Sequence, residues 1–394
     1  MKLFQRLLVA PAALGLLAPI SANANEVNLI EISNYSDVDE IEFVNSFDNN
    51  ISAESHLLAG GEGLVDDHDH DSDSFSSTTT ASFSVDMAIG GTDGSSGGDA
   101  ITALYGYQMD LNTSFTGEDS LDISVDAGNG ASTGDSLDEL DLNETADKLT
   151  VDGVVYTFPL GDKTTIFVGD NADGSTLYNT ACVYGGPTNT LDDCGNANSA
   201  MAGGQGTAAG ASYDIGNGFT AAIGYTGAGS TTKGLLTKEG ADVFGGQVSY
   251  AADSYGVSVT YSNEETVDSN GDIVAGEDVT YWGLNGYWTP SESGSMPSIS
   301  VGYEMGDPEK SGEQDTTHYF VGLQWDEFGP GTLGAALGTT GHIAENAAET
   351  LMYEAFYSYP INDGMTVTPV VFVKEQSTST DDITGVMVKT SFSF

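Results

Sequence analysis

Positive charge is almost missing from this 394-residue sequence: Lys+Arg total 9 against 59 Asp+Glu, and Arg6 is the single arginine. A protein that grips phosphates needs a basic footprint, so nucleic acid is excluded as a partner. A formal charge of -50 speaks to solubility, self-repulsion and choice of counter-ion, and names no fold. Long apolar runs are also scarce. After the first 24 residues no segment approaches the roughly 18 uncharged apolar residues of a membrane helix, which excludes a helical anchor there. Cysteine occurs only at Cys182 and Cys194. A thiolate metal site is not expected, because no histidine lies near them to complete it. Histidine is too sparse for an obvious catalytic centre: beyond the N-terminal region only His318 and His342 occur, neither in a motif that orients a nucleophile. No enzymatic activity is expected, a lipase-like barrel included.

What is present is glycine and tyrosine, with 51 and 18 residues, and an apolar share of 39% against 17% charged. That balance is unlike a disordered acidic chain and fits a folded β protein. "MKLFQRLLVAPAALGLLAPISANAN" has the positive start (Lys2, Arg6), apolar stretch and Ala22-Asn23-Ala24 cleavage site of a secretory signal peptide, residues 1–24. Export then makes a Cys182–Cys194 disulfide the expected pairing. Residues 25–77 are polar and acidic and include "DDHDHDSDSFSSTTT"; they read as a periplasmic linker rather than a domain with its own core.

From residue 78 the chain alternates. Ile101, Ala103, Tyr105, Tyr107 and Met109 share one face of a strand, while Thr102, Gln108 and Asp110 share the other. Sixteen such segments follow one another, at 78–88, 101–112, 121–127, 149–158, 164–169, 207–215, 219–226, 244–251, 255–262, 278–288, 298–305, 316–326, 331–339, 350–359, 365–373 and 383–394. Links after even-numbered segments are short and turn-like, such as "GNG", "ADS" and "PINDG"; those after odd-numbered segments are mostly longer and acidic. This asymmetry predicts an all-β, 16-stranded antiparallel transmembrane barrel over 78–394, with short periplasmic turns and longer external loops in a bacterial outer membrane. A soluble sandwich has no reason to keep it. Phe115, Phe158, Phe219, Tyr255, Trp288, Trp325, Tyr359 and Phe394 all fall beside the short turns, where aromatic rings suit the headgroup level of the lipid.

A barrel of this strand count leaves an aqueous channel. Rings of Asp and Glu in such a lumen favour cations, and cationic rings favour anions. Strand parity puts Asp110, Asp122 and Asp126 on the inner face; Asp170, Asp173, Asp192 and Asp193 join them as loop candidates. The 37-residue link 170–206 is too long for an ordinary connection. Pinned by Cys182 and Cys194, it is expected either to fold inward and narrow the lumen or to stand outside as a braced surface loop. No cofactor is expected, although divalent cations could sit between these carboxylates. His68 and His70, with neighbouring acids, form a second candidate metal tract.

The stretches "FSSTTTASFSVDMAIGG", "TSFTGEDSLDISVDAGN", "YDIGNGFTAAIGYTG", "SYAADSYGVSVTYS" and "YWGLNGYWTP" and the final strand resemble the cyanobacterial outer-membrane porins grouped with the carbohydrate-selective, OprB-like family, iron-uptake porins among them. The resemblance covers roughly 75–394. It implies passive diffusion of small hydrophilic solutes, with inorganic ions including iron as first expectation and sugars as the alternative. It also implies recognition of a terminal aromatic, here Phe394, by the barrel assembly machinery, and by analogy a homotrimer. Family members carry an S-layer-homology module and a coiled coil that tether them to peptidoglycan. Only 25–77 stand in that place here, without a heptad run, so tethering is not implied. A non-conducting structural or adhesive barrel is the rival of another class.

Overall fold

The computed structural model describes residues 78–95, 100–130, 137–140, 142–199, 205–227, 234–237, 240–266, 273–274, 276–290, 296–377 and 381–394. The expected signal peptide, the 25–77 tail, His68 and His70 lie outside them.

The strands are β1 (Thr79–Asp93), β2 (Thr102–Thr113), β3 (Ser120–Gly128), β4 (Thr150–Pro159), β5 (Thr164–Ala172), β6 (Gly206–Gly216), β7 (Phe219–Gly227), β8 (Asp242–Ala251), β9 (Tyr255–Glu264), β10 (Val279–Trp288), β11 (Ser298–Pro308), β12 (Thr316–Phe328), β13 (Gly331–Thr339), β14 (Ile343–Ala344), β15 (Leu351–Asn362), β16 (Met365–Lys374) and β17 (Ile383–Ser393). Sixteen of them form the wall. Each pairs antiparallel with its sequence neighbour, β13 passes directly to β15, and β17 closes on β1. The two-residue β14 pairs only with the start of β12. Closure leaves no unpaired sheet edge, the condition for strands to stand in hydrocarbon.

The expected boundaries hold to within a few residues. The largest difference is β1, which runs to Asp93 because it is paired on both sides, to β2 through Gly90 and to β17 through Asp93. At the seam Phe394 donates its N–H to the carbonyl of Phe83 at 3.0 Å and accepts the N–H of Phe83 at 2.9 Å. Their rings stack at 5.7 Å.

Alternation works out as expected. On β9, Val257 and Val259 are exposed while Ser258 and Thr260 are fully buried; on β11, Val301, Tyr303 and Met305 face out while Ser300 and Glu304 are buried. The exposed face is the apolar one, the reverse of a water-soluble sheet and the arrangement of a wall that meets lipid. The aromatics expected beside the short turns lie on that outer parity, Phe219, Tyr255, Trp288, Tyr359 and Phe394 all well exposed. A second outer belt at the long-loop end includes the pairs Tyr225–Phe244 and Tyr261–Trp282, at 5.1 and 4.8 Å. Turn chemistry is local: Asn217 and Gly218 both take positive φ, 56° and 84°, as a tight hairpin demands. Among the described residues no helix is long and apolar enough to cross a membrane.

Candidate functional site

Polar side chains on the inner wall of β8 to β11 are buried, although a bare lumen would wet them. Ser258, Thr260 and Ser262 have no exposure, and Asn285 and Ser300 have 1%. The β5–β6 link covers them. Its backbone N–H groups donate to wall side chains in order along the chain: Gly174 to Thr226 at 2.6 Å, Asn179 to Gln247 at 2.6 Å, Ala181 to Ser258 at 2.9 Å, Val183 to Ser300 at 3.0 Å and Gly185 to Gln324 at 3.0 Å. A segment that reaches inner faces from β7 to β12 in sequence must run inside the cylinder. The link therefore folds inward, and the braced surface loop is not what forms. The Cys182–Cys194 disulfide, Cα to Cα 6.4 Å, pins it.

Small wall residues make room for it. A Cβ on Gly302 would collide with the carbonyl of Cys194, and one on Gly224 with the carbonyl of Gly174. Carboxylates anchor it further along. Glu354 accepts the Tyr184 hydroxyl at 2.5 Å and the Thr188 hydroxyl at 2.6 Å. Burial pushes the Tyr184 phenol upward, so it stays a donor. Glu304, without exposure, accepts the N–H of Asn198 at 3.2 Å and that of Ser199.

A second segment enters from the β3–β4 link. Leu137, Leu140 and Leu142 join an apolar cluster with Leu191 and Tyr184 of the first loop and Phe320, Phe356 and Met387 of the wall. The two inward segments also touch directly, Asn189 donating to the Glu139 carbonyl at 2.9 Å. This segment was not expected; its signal is three leucines around "DEL" in an otherwise polar link.

Asp110, Asp122 and Asp126 face inward on β2 and β3, as parity required. Asp110 accepts Ser124 Oγ at 2.7 Å, Asp122 accepts Ser120 Oγ at 2.6 Å, and Asp126 accepts Thr150 Oγ1. The loop candidates separate. Asp170 is not lumenal: β5 extends past the expected 169, and Asp170 pairs with Val154, sharing the outer face of Val168, where it accepts Thr207 Oγ1 at 2.8 Å. Asp173 sits where the loop leaves β5. Its Oδ1 is buried without a hydrogen-bond partner, and burial pushes its carboxyl up to about 6. Asp192 is exposed, whereas Asp193 accepts the Gly195 N–H at 2.7 Å and faces His318 Nε2 at 3.8 Å. Wall acids and loop acids are thus not drawn into one ring. Among the described residues no three His, Cys, Asp or Glu side chains assemble as a metal-holding group.

Glu139, Glu304 and Glu354 were missed as site residues, as was the meeting of His318 and His342. Parity alone puts Glu304 and Glu354 inside, and the β11–β12 register sets Glu304 opposite His318. Glu139 and His342 come from links, where no period applies. The inner lining can present fixed carboxylates to a polar passage narrowed by the two inward segments.

No protein-family model and no curated protein matches the chain. Solved structures do. The high-pH structure of OprB from Pseudomonas putida is similar at 12% identity with a TM-score of 0.60, over 80% of this chain and 94% of that one. OmpT of Vibrio cholerae, an outer membrane protein lacking its loop L8, matches at 13% identity and 0.54, over 80% and 100%. OmpF of Salmonella typhi in complex with daunomycin matches at 13% and 0.52, over 80% and 97%. At these identities the likeness is one of fold.

Proposed function

We propose that the protein is an outer-membrane porin, a passive diffusion channel for small hydrophilic solutes that prefers cations. One observation carries this: the described inner lining is acidic and its cations are already engaged. Lys374 is paired with Glu139 at 2.5 Å and Lys389 with Asp86 at 3.5 Å, which leaves Asp110, Asp122, Asp126 and Asp193 to set the field, with the buried Glu304 behind them. Carboxylates facing a narrow aqueous path concentrate cations and repel anions. The apolar outer wall between two aromatic belts supports the membrane placement. Inorganic ions, iron species included, are the first substrate class; sugars are the alternative from the family resemblance. The barrel assembly machinery as partner and a homotrimer rest on that resemblance alone.

A second reading has its own support. The apolar packing of Leu137, Leu140 and Leu191 against Phe320, Phe356 and Met387 would suit a plugged, structural barrel. Planar-bilayer recording separates the two. A porin gives steps of current, with a reversal potential of cation-selective sign across a KCl gradient. An anion-selective sign overturns the cation preference, block by sugars favours the carbohydrate alternative, and silence at all voltages favours the plug.

A further inference from the structure

His342, in the β13–β14 link, borders two cavities. One, of about 500 Å³, is bordered by Tyr281, Glu313, Gln314, Thr316 and His342. The other, of about 220 Å³, is bordered by Asp193, Asn198, His318, Thr340 and His342. The histidine is held on both ring nitrogens: Nε2 lies 2.7 Å from Glu304 Oε2, and Nδ1 lies 2.8 Å from Thr316 Oγ1. His318 stacks on it at 5.7 Å between ring centroids, its own Nδ1 2.7 Å from Thr339 Oγ1. Tyr281 of β10 meets His342 edge-on at 5.3 Å.

The charged groups around this pair are acidic, apart from Lys310 of the β11–β12 link, which is already paired with Glu277 at 3.1 Å and Glu313 at 3.2 Å. Glu304 comes from β11, Asp193 from the inward loop and Glu313 from the β11–β12 link. Imidazole is the side chain that gains charge near neutral pH. A proton taken by either ring cancels a neighbouring carboxylate beside His342, which borders both cavities.

We propose that His318 and His342 form a proton-operated charge filter on the permeation path, so that the cation preference is full in mildly alkaline solution and falls as the medium turns mildly acidic. This rests on the porin reading above. With both rings neutral, Glu304 and Asp193 set the local field, Glu313 being paired with Lys310. With a ring protonated, that field is largely neutralised and anions are no longer repelled there.

The test is the reversal potential of the purified full-length protein in planar bilayers across a KCl gradient, at symmetrical pH from about 8 down to about 5.5. The wild-type cation-to-anion permeability ratio should fall two- to threefold, roughly what a single charge beside the path achieves in a water-like dielectric. His342→Gln and His318→Gln, which keep hydrogen bonding and lose the titration, should each shrink the change, and the double variant should hold the alkaline ratio throughout. Asp173→Asn controls for another carboxyl that burial pushes up to about 6 and should leave the response intact. A wild-type ratio that does not move with pH overturns the filter, whatever the variants do. So does an unchanged response in the double variant, given that it reaches the folded, heat-modifiable form. Absence of current at every pH sinks the porin reading instead, and the filter with it.

Discussion

Glu139 and Lys374 form an ion pair at 2.5 Å inside the barrel although 235 residues separate them in the chain. Lys374 also donates to Thr190 Oγ1 at 3.0 Å, so one ammonium ties β16 to both inward segments. Replacing Lys374 with Met leaves the buried Glu139 carboxylate uncompensated, at a cost of about 3 kcal/mol. The expected outcome is a loss of amide hydrogen-exchange protection around 137–142 and 189–196 with the strand amides unchanged. Equal protection in mutant and wild type would show that the apolar cluster alone holds the segments.

Gly302 is one place where the loop backbone lies directly against the wall. Gly302→Ala puts a methyl into the Cys194 carbonyl, an overpacking worth about 1–3 kcal/mol. The barrel should still close, with the loop displaced and single-channel conductance raised. Gly286→Ala, where an added Cβ meets only ordinary contacts, should conduct as wild type.

Asp173 makes docking of the first half of the loop pH-dependent. Its folded-state pKa of about 6 lies above that of a free carboxyl, near 3.9, so the docked form holds the proton more tightly. The penalty is absent below about pH 4, grows between about pH 4 and pH 6, and is complete above, reaching about 3 kcal/mol at most. Protection of Gly174 and Asn179, corrected for intrinsic exchange, should therefore decline as pH rises through that window. In Asp173→Asn it should stay flat.

Phe394→Ala removes the ring stacked on Phe83 and keeps the backbone bonds at the seam. A stacked pair is worth about 0.5–1.5 kcal/mol beyond its buried area. The folded form should convert to the unfolded one a few degrees lower in heat-modifiability gels. Phe394→Tyr should restore the wild-type transition, since it keeps the stack.

The wall of this protein was legible in its sequence because strand side chains have a period of two, and a closed sheet between oil and water turns that period into a rule for every residue. Strand count, inner and outer faces, the inward placement of Asp110, Asp122 and Asp126 and the aromatics beside the short turns all follow from that periodicity and from the link lengths. Asp170 reads as a loop acid only if β5 stops at its expected end, 169; the strand runs to Ala172, and the period of two then puts Asp170 on the outer face with Val168. What fills the lumen was decided only in three dimensions. The β3–β4 and β5–β6 links have no period to read, and their course depends on partners more than a hundred residues away, Glu354 for Tyr184 and Lys374 for Glu139. Those partners become neighbours because the sheet closes into a cylinder, whereas Glu304 and His318 face each other across the β11–β12 register and the links bring His342 and Asp193 to them.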